Sequence, residues 1–443
     1  MGLDRSNFSP RVQQRVVHAG VNGASFQQAS LDLAEMSDLK IAPKPIERMV
    51  KKIGRERTDQ RDAAVATHQR LPLMSKDDAN PRHSRPSVAM VSVDGGRLQI
   101  REGASVPKKK PSQDSEPAPR QDSEPAPRQD SEPAPRQDSE QDSHWRESKV
   151  SVLETYLSDV HEFDPDPDVP RCFLDLKRAR ELVRGLGHAL PVCMEFGLED
   201  KARKQEEAKA KRRCRVARPG RPKRLVRSVL ATRKRSSDFG PMVHQAAWER
   251  NFHRAERRAF LGDGLPANWT IQSRHFTSFT AILDFVHALS YVFAAAYAGR
   301  SQAKGAEDYK RWIQAAWVGQ VATILSELEE RSAELGMPPK ECVDSDPRKL
   351  VFEALRYLKN NKERMQYDEY RRQGLPIMTS AVESAIKMIN RRVKGTEKFW
   401  SQPGAEAILQ LRADYLSETD TMSRFWLERE NQSGVSHPYR QTA

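Results

Sequence analysis

Apolar positions recur at helical spacing from the start of the chain. Phe26, Ala29, Leu33 and Met36 fall on one face of a helix predicted over Ala24–Met36. After a short break, Pro45 suits a first helical position, and Ile46, Met49, Val50 and Ile53 form the next apolar face. Gly54 reads as the stop. Arg48, Lys51, Lys52 and Arg55 point away from that stripe, the pattern of a DNA-binding helix-turn-helix, although any two-helix packing unit shares it. Strand-like runs follow at Val88–Val93, Arg97–Arg101, Lys149–Tyr156 and Leu225–Ala231. From Phe239 onward helical periods dominate. Tyr309, Trp312, Ile313, Ala316, Trp317, Val321, Ile324, Leu325 and Leu328 keep helical spacing across Ala306–Leu335 and are expected in the core. This order predicts an α/β domain with a helical insertion.

Two stretches interrupt the pattern. Residues 113–136 are three identical copies of QDSEPAPR, followed by partial copies QDSE and QDS. Each copy has two prolines, a charge of −1 and no large apolar group, so a disordered insertion is expected. The second stretch is basic. Residues 201–235 hold sixteen Lys/Arg against Glu206 and Glu207, or +14 of a net +13, which leaves −1 for the remaining 408 residues. Charge so concentrated points to a polyanion partner. Within it, Arg218-Pro219-Gly220-Arg221-Pro222-Lys223-Arg224 resembles an AT-hook, whose Gly-Arg-Pro core lies in an A·T minor groove; a solvated basic linker would read the same way.

A length of 443 residues allows two or three domains. The four cysteines, Cys172, Cys193, Cys214 and Cys342, lie at least 21 residues apart, which excludes a C-x-x-C zinc site and a disulfide scaffold. MGLDRSNFSP lacks the apolar core of a secretory signal, and the most apolar stretch, Ala281–Ala298, carries Asp284 and His287. A soluble protein of a reducing compartment is expected.

Three carboxylates stand out by position. Asp94 ends the strand-like run VAMVSVD, Asp263 ends the short apolar run AFLGD, and Glu383 lies near the start of the helical pattern SAVESAIKMINRRVKG. Each has a local alternative: Asp94-Gly95 and Asp263-Gly264 are turn signals, and Ser380-Ala-Val-Glu383 fits a capping box. Carboxylates converging from separate elements are what two-metal phosphoryl transfer needs. Past Glu383, Lys387, Arg391 and Lys394 follow at i+4, i+8 and i+11, a basic rail beside the acid. Asp284 and His287 form D-x-x-H, in which Asp284 can cap a helix whose first turn holds His287.

At these residues the chain resembles bacterial insertion-sequence DDE transposases of the ISKra type, distant relatives of the Mutator-like elements. The matching segments are VSVDGGRLQIRE, WRESKVSVLET, FLGDGLPANWTIQSRHF, ILDFVHALSYVFAAA and GLPIMTSAVESAIKMINRRVKGTEKFWSQPGAEAILQLRADYLS, in the family's order over about residues 85–430. The resemblance implies an RNase H-like α/β catalytic domain, a mixed sheet with flanking helices, with a helical insertion before the last acid; the helix-turn-helix read from the N-terminal pattern would be added to it. Its boundaries would be a DNA-binding region at 1–80, the first part of the core at 85–300, the helical insertion at 301–372, and the last catalytic helix with a C-terminal helical region at 373–443. The repeat insert (103–144) and a basic, helical insert (160–223) would interrupt the core. Carried over by motif, Asp94, Asp263 and Glu383 would be the catalytic, metal-binding acids, holding two Mg²⁺ or Mn²⁺ ions. Asp284, His287 and Trp269 would support them, with Asn268-Trp269 packed beneath the site. DNA contacts would come from Arg48, Lys51, Lys52, Arg218, Arg221, Lys223, Arg224, Lys387, Arg391, Arg392 and Lys394. The expected activity is strand cleavage and strand transfer at terminal inverted repeats, by a homodimer or larger assembly associated with the bacterial nucleoid and no membrane. The alternatives are an inactive, transposase-derived DNA-binding regulator or architectural protein, and a nuclease without strand transfer.

Overall fold

The computed structural model describes residues 8–100, 145–191, 220–378, 380–395 and 398–435. Its centre is a mixed five-stranded sheet: β1 (Val88–Gln99), β2 (Trp145–Leu157), β3 (Lys223–Thr232), β4 (Arg257–Gly262) and β5 (Thr280–Leu283), in the order β3-β2-β1-β4-β5. β1 and β2 are antiparallel, as are β2 and β3, whereas β4 runs parallel to β1 and to β5. The run VAMVSV is buried on both faces, as a central strand covered by helices on each side must be.

The two predicted strands around Asp94 are one. β1 pairs with β2 from Val88↔Tyr156 to Gln99↔Trp145 without a break, and Asp94 lies opposite Val150. The Asp-Gly-Gly turn signal is therefore overridden by an extended partner along its whole length, and no hairpin forms there.

On one face of the sheet, α5 (Ser236–Glu249) and α6 (Pro266–His275) bury Phe239, Val243, Ala247 and Ile271 against Ala89, Val91, Val93 and Leu153. Between them on the chain lies the strand that ends at Gly262. The other face carries α4 (Leu176–Gly185), α7 (Phe285–Tyr297) and α12 (Ser380–Val393). α8 (Gln302–Trp317), α9 (Val321–Leu335), α10 (Pro347–Asn361) and α11 (Tyr367–Arg372) pack beside α7. The predicted aromatic core of this region is buried, but the run over 306–335 is two helices. The periodicity missed the break because Trp317 and Val321 stay four residues apart across it.

The N-terminal helices are α1 (Pro10–Asn22), α2 (Phe26–Ser37) and α3 (Pro43–Arg70), and they share a core with α12, α13 (Gln402–Leu416) and α14 (Thr421–Val435). Ala29 and Leu33 are buried as expected, but Met36 is 78% exposed. Gly54 does not stop a helix. It lies inside the 28-residue α3, where an added Cβ would stand 2.6 Å from the Ala407 carbonyl oxygen of α13. The glycine marks a close helix crossing rather than an end. None of the described helices is long and apolar enough to cross a membrane.

Candidate active site

β1 and β4 bring the first two acids together. Their parallel pairing runs from Val88↔Arg257 to Ser92↔Leu261. Asp94 stands two residues further on in β1 and Asp263 directly after the end of β4, and both line the cleft that Glu383 of α12 also lines.

Local backbone holds each acid. Asp94 Oδ1 accepts the Gly95 amide at 2.6 Å. Asp263 Oδ1 accepts the Leu265 amide at 3.0 Å and the Asn268 side-chain amide at 2.8 Å, which ties the acid to the first turn of α6. Gly264 between them has φ +94°, and a Cβ there would strike the Tyr357 ring at 2.5 Å. Only glycine suits that backbone and that space. Tyr357 of α10 donates its hydroxyl to the Asp263 carbonyl at 2.6 Å. Trp269 lines the same cleft as the acids, with its indole N–H donating to Asn361 Oδ1 at 3.0 Å.

Glu383 lies in the first turn of α12, with Lys387 Nζ 3.5 Å from its Oε2. The Ser380 side chain falls outside the described residues, so the capping-box alternative is left without a geometry. Asp284 caps α7 as the spacing predicted: its Oδ1 accepts the amides of Val286 at 2.7 Å and His287 at 3.2 Å. His287 Nδ1 lies 3.3 Å from the same oxygen.

Asp94, Asp263, Glu383 and His287 line one open cleft of about 1370 Å³. Among the described residues no three His, Cys, Asp or Glu side chains close into a ready-made metal cage. Burial, then the charges of Asp263 and Glu383, push Asp94 up to about 6. Burial opposes the His287 cation, yet its pairing with Asp284, with Asp263 and Asp94 nearby, raises it to about 9. Burial and that cation together drive His188, on the cleft wall, down to about 4. The site is thus an acid cluster partly balanced by one imidazolium.

The helical insertion supplies a wall that the sequence reading did not foresee. Tyr291 of α7 stacks on Tyr357 at 3.7 Å, and Arg364 lies over the Trp269 ring at 4.5 Å. Arg356 joins them on the cleft. The signal available was the polar face of α10, with Arg356, Asn360 and Asn361 among buried aliphatics, but nothing local said which surface it would meet.

The basic residues divide. Arg48, Lys52 and Arg55 are exposed, while Lys51 is half-buried and paired with Glu47. Arg218 lies outside the described residues. Arg221 and Lys223 are exposed, and Lys223 already belongs to β3. Arg224 donates to both Glu418 carboxylate oxygens at 2.7 Å, so it is engaged within the fold. Lys387 and Arg391 on α12, and Lys394 directly after it, are exposed. Arg392 is not part of that rail: it is buried, donates to the Gly20 carbonyl at 3.0 and 3.1 Å, and lies over the Phe26 and Trp400 rings. It joins α12 to the N-terminal helices instead of facing a ligand. No protein-family model matches the chain, and no curated protein matches it.

Proposed function

We propose that the protein is a DNA transposase of the DDE kind, similar to the ISKra-type enzymes, which cleaves strands at the terminal inverted repeats of its element and joins them to target DNA. The observation that carries this reading is the meeting of Asp94, Asp263 and Glu383, from three separate elements, in one cleft. A mixed sheet with flanking helices, and helices α8 to α10 between the second and third acid, agree with an RNase H-like core.

The acids offer hard oxygen donors suited to Mg²⁺ or Mn²⁺. Among the described residues Oδ2 of Asp94 and of Asp263 accepts no hydrogen bond, which leaves these oxygens for a cation. Asp94 and Asp263 would hold the ions jointly, and Glu383 would complete the second ion's shell. Two such ions, when bound, supply an activated attacking oxygen and charge stabilisation at the leaving oxygen. The chain's own residues prepare that chemistry. Asn268 and the Leu265 amide fix the Asp263 carboxylate, Tyr357 fixes its backbone, and Asp284 orients His287. Lys387, Arg391 and Lys394 face the DNA backbone from α12, and Arg356 and Arg364 do so from the insertion. Arg48, Lys52 and Arg55 on α3, with Arg221 and Lys223, would add contacts outside the cleft. Strand joining at two element ends calls for a homodimer or larger assembly.

The test is Mg²⁺-dependent nicking and joining of a duplex carrying the inverted repeats that flank the reading frame. Wild-type protein is expected to nick and join, and Glu383→Gln to bind the duplex without cleaving it. Normal nicking by the Glu383→Gln protein would remove that residue from the site and leave the capping box as its explanation.

A further inference from the structure

Glu154 occupies a core position of β2. It lies opposite Met90, between Val152 and Tyr156, on the sheet face that α12 covers, and it is fully buried. A carboxylate in such a place is costly unless all its lone pairs are met. Tyr156 donates to Oε2 at 2.6 Å, but among the described residues Oε1 accepts no hydrogen bond. Arg224 Nε forms an ion pair with Oε1 at 3.6 Å, beyond hydrogen-bonding range.

Arg371 faces the same space. It is 8% exposed, stacks on the Trp317 ring at 4.1 Å, pairs with Asp164 and donates Nη2 to the Trp317 carbonyl at 2.9 Å, yet among the described residues Nη1 has no hydrogen-bond partner. Among the described residues, an acceptor and a donor without hydrogen bonds, both on side chains more than nine-tenths buried, therefore line one cavity of about 420 Å³. That volume falls in the range of about 300–1,000 Å³ typical of small-ligand pockets. Trp317, Tyr156 and the apolar segment Leu375–Met378 form its walls, and the exposed Arg221 stands at its rim.

We infer that this cavity binds a guanine base. Guanine presents two adjacent N–H donors for the Glu154 carboxylate, an O6 acceptor beside them for Arg371, and a flat body for the aromatic wall. Adenine and cytosine would turn a ring-nitrogen lone pair toward the carboxylate. Arg221 at the mouth suits the attached phosphate. The cavity is separate from the acid cleft: α12 presents Ala381 and Ser384 to the one, and Glu383 and Lys387 to the other. An occupied cavity braces the helix that carries Glu383. The base can come from a free guanine nucleotide or from a guanine turned out of a DNA duplex.

The experiment uses the full chain without metal, so its outcome is independent of strand cleavage. Calorimetric titration with GMP, AMP, CMP and UMP, and with duplexes carrying one bulged guanine or one bulged thymine, reads base preference. Guanine is expected to bind at least tenfold more tightly than the other bases. Glu154→Gln, which keeps the shape, weakens that binding at least tenfold. Ser384→Phe fills the cavity from α12 without touching Glu154 and abolishes it. Preference for the bulged guanine identifies an extruded base, and preference limited to GMP identifies a free nucleotide. The absence of guanine preference in both formats, or a preference unchanged in both variants, overturns the proposal.

Discussion

Asp94 in β1 and Asp263, directly after the neighbouring parallel strand β4, hold equivalent places, each two residues beyond the last pair, Ser92↔Leu261. Neither acid is positioned by a long flexible loop. The register of two buried strands sets their lateral relation, and a local hydrogen bond sets each carboxylate. Strand register is rigid because a slip of one residue would turn a buried face outward. The geometry of this pair is therefore a property of the core.

Asn268 is the side chain that fixes the second acid, through its 2.8 Å hydrogen bond to Asp263 Oδ1. Asn268→Ala should leave the fold intact and lower Mg²⁺-dependent cleavage by about 10- to 100-fold, the usual cost of losing a group that orients a ligand. The Mg²⁺ concentration for half-maximal rate should rise as well. An unchanged Mg²⁺ requirement would show that Asp263 is held by backbone alone.

His244 of α5 sits between His68 at 5.1 Å and His275 at 6.0 Å, with Lys76 and His253 also nearby. Burial first, then these positive neighbours, lower it to about 4. The unfolded chain takes up a proton near 6.5 that the folded site refuses, so stability is complete above 6.5 and falls as the pH drops toward 4. The loss contributed by His244 is about 2–3 kcal/mol at most. His244→Gln, which does not titrate, should flatten the fall of Tm between pH 7 and pH 4.5. An unaltered slope would assign the acid sensitivity to other groups.

Gly54 tests the crossing of α3 and α13. On an exposed helix, Gly→Ala gains about 1 kcal/mol. Here the new methyl would stand 2.6 Å from the Ala407 oxygen and 2.7 Å from its Cβ. Overpacking of this kind costs about 1–3 kcal/mol, so strain outweighs propensity. Gly54→Ala should lower the denaturant midpoint without changing the slope of unfolding. A raised midpoint would mean that the two helices can part freely.

Short-range signals were legible in the sequence. The Asp284 cap and the buried apolar stripes of α8 and α9 depend on neighbours within a few residues. What failed was the choice between competing local readings. Asp94-Gly95-Gly96 is a good turn, and only the distant partner Lys149–Val150 keeps it extended. Gly54 reads as a stop until Ala407 explains it. Arg391 and Arg392 are adjacent, yet a helix separates neighbours by about 100°, which exposes one and buries the other. Tyr357, Arg356 and Arg364 reach the cleft through the docking of α10, which no periodicity encodes. Glu154 broke the apolar alternation of β2 openly, and that break was the one sequence signal of the second cavity.

The last expectation sets stability against chemistry at Asp94. Burial, Asp263 and Glu383 raise this acid to about 6, whereas the unfolded chain releases its proton near 4. The folded state holds a proton that the unfolded state gives up, so stability falls as the pH rises from about 4 to 6 and stays low above it. At pH 7 the ionised acid costs about 1–3 kcal/mol once solvent screening is allowed for. Asp94→Asn keeps the shape and the acceptor for the Gly95 amide while removing the charge. Its Tm should exceed that of the wild type at pH 7, and the gain should shrink by pH 4, where the acid is already neutral. Mg²⁺ should raise the Tm of the wild type more than that of Asp94→Asn, because the cation relieves the same repulsion. Cleavage should fall by on the order of a thousandfold. A protein made more stable and catalytically silent by one substitution is what stored charge at a working site predicts. If Asp94→Asn instead lowered the Tm at pH 7, Asp94 would be a structural residue of β1, and the acid cluster would lose its first member.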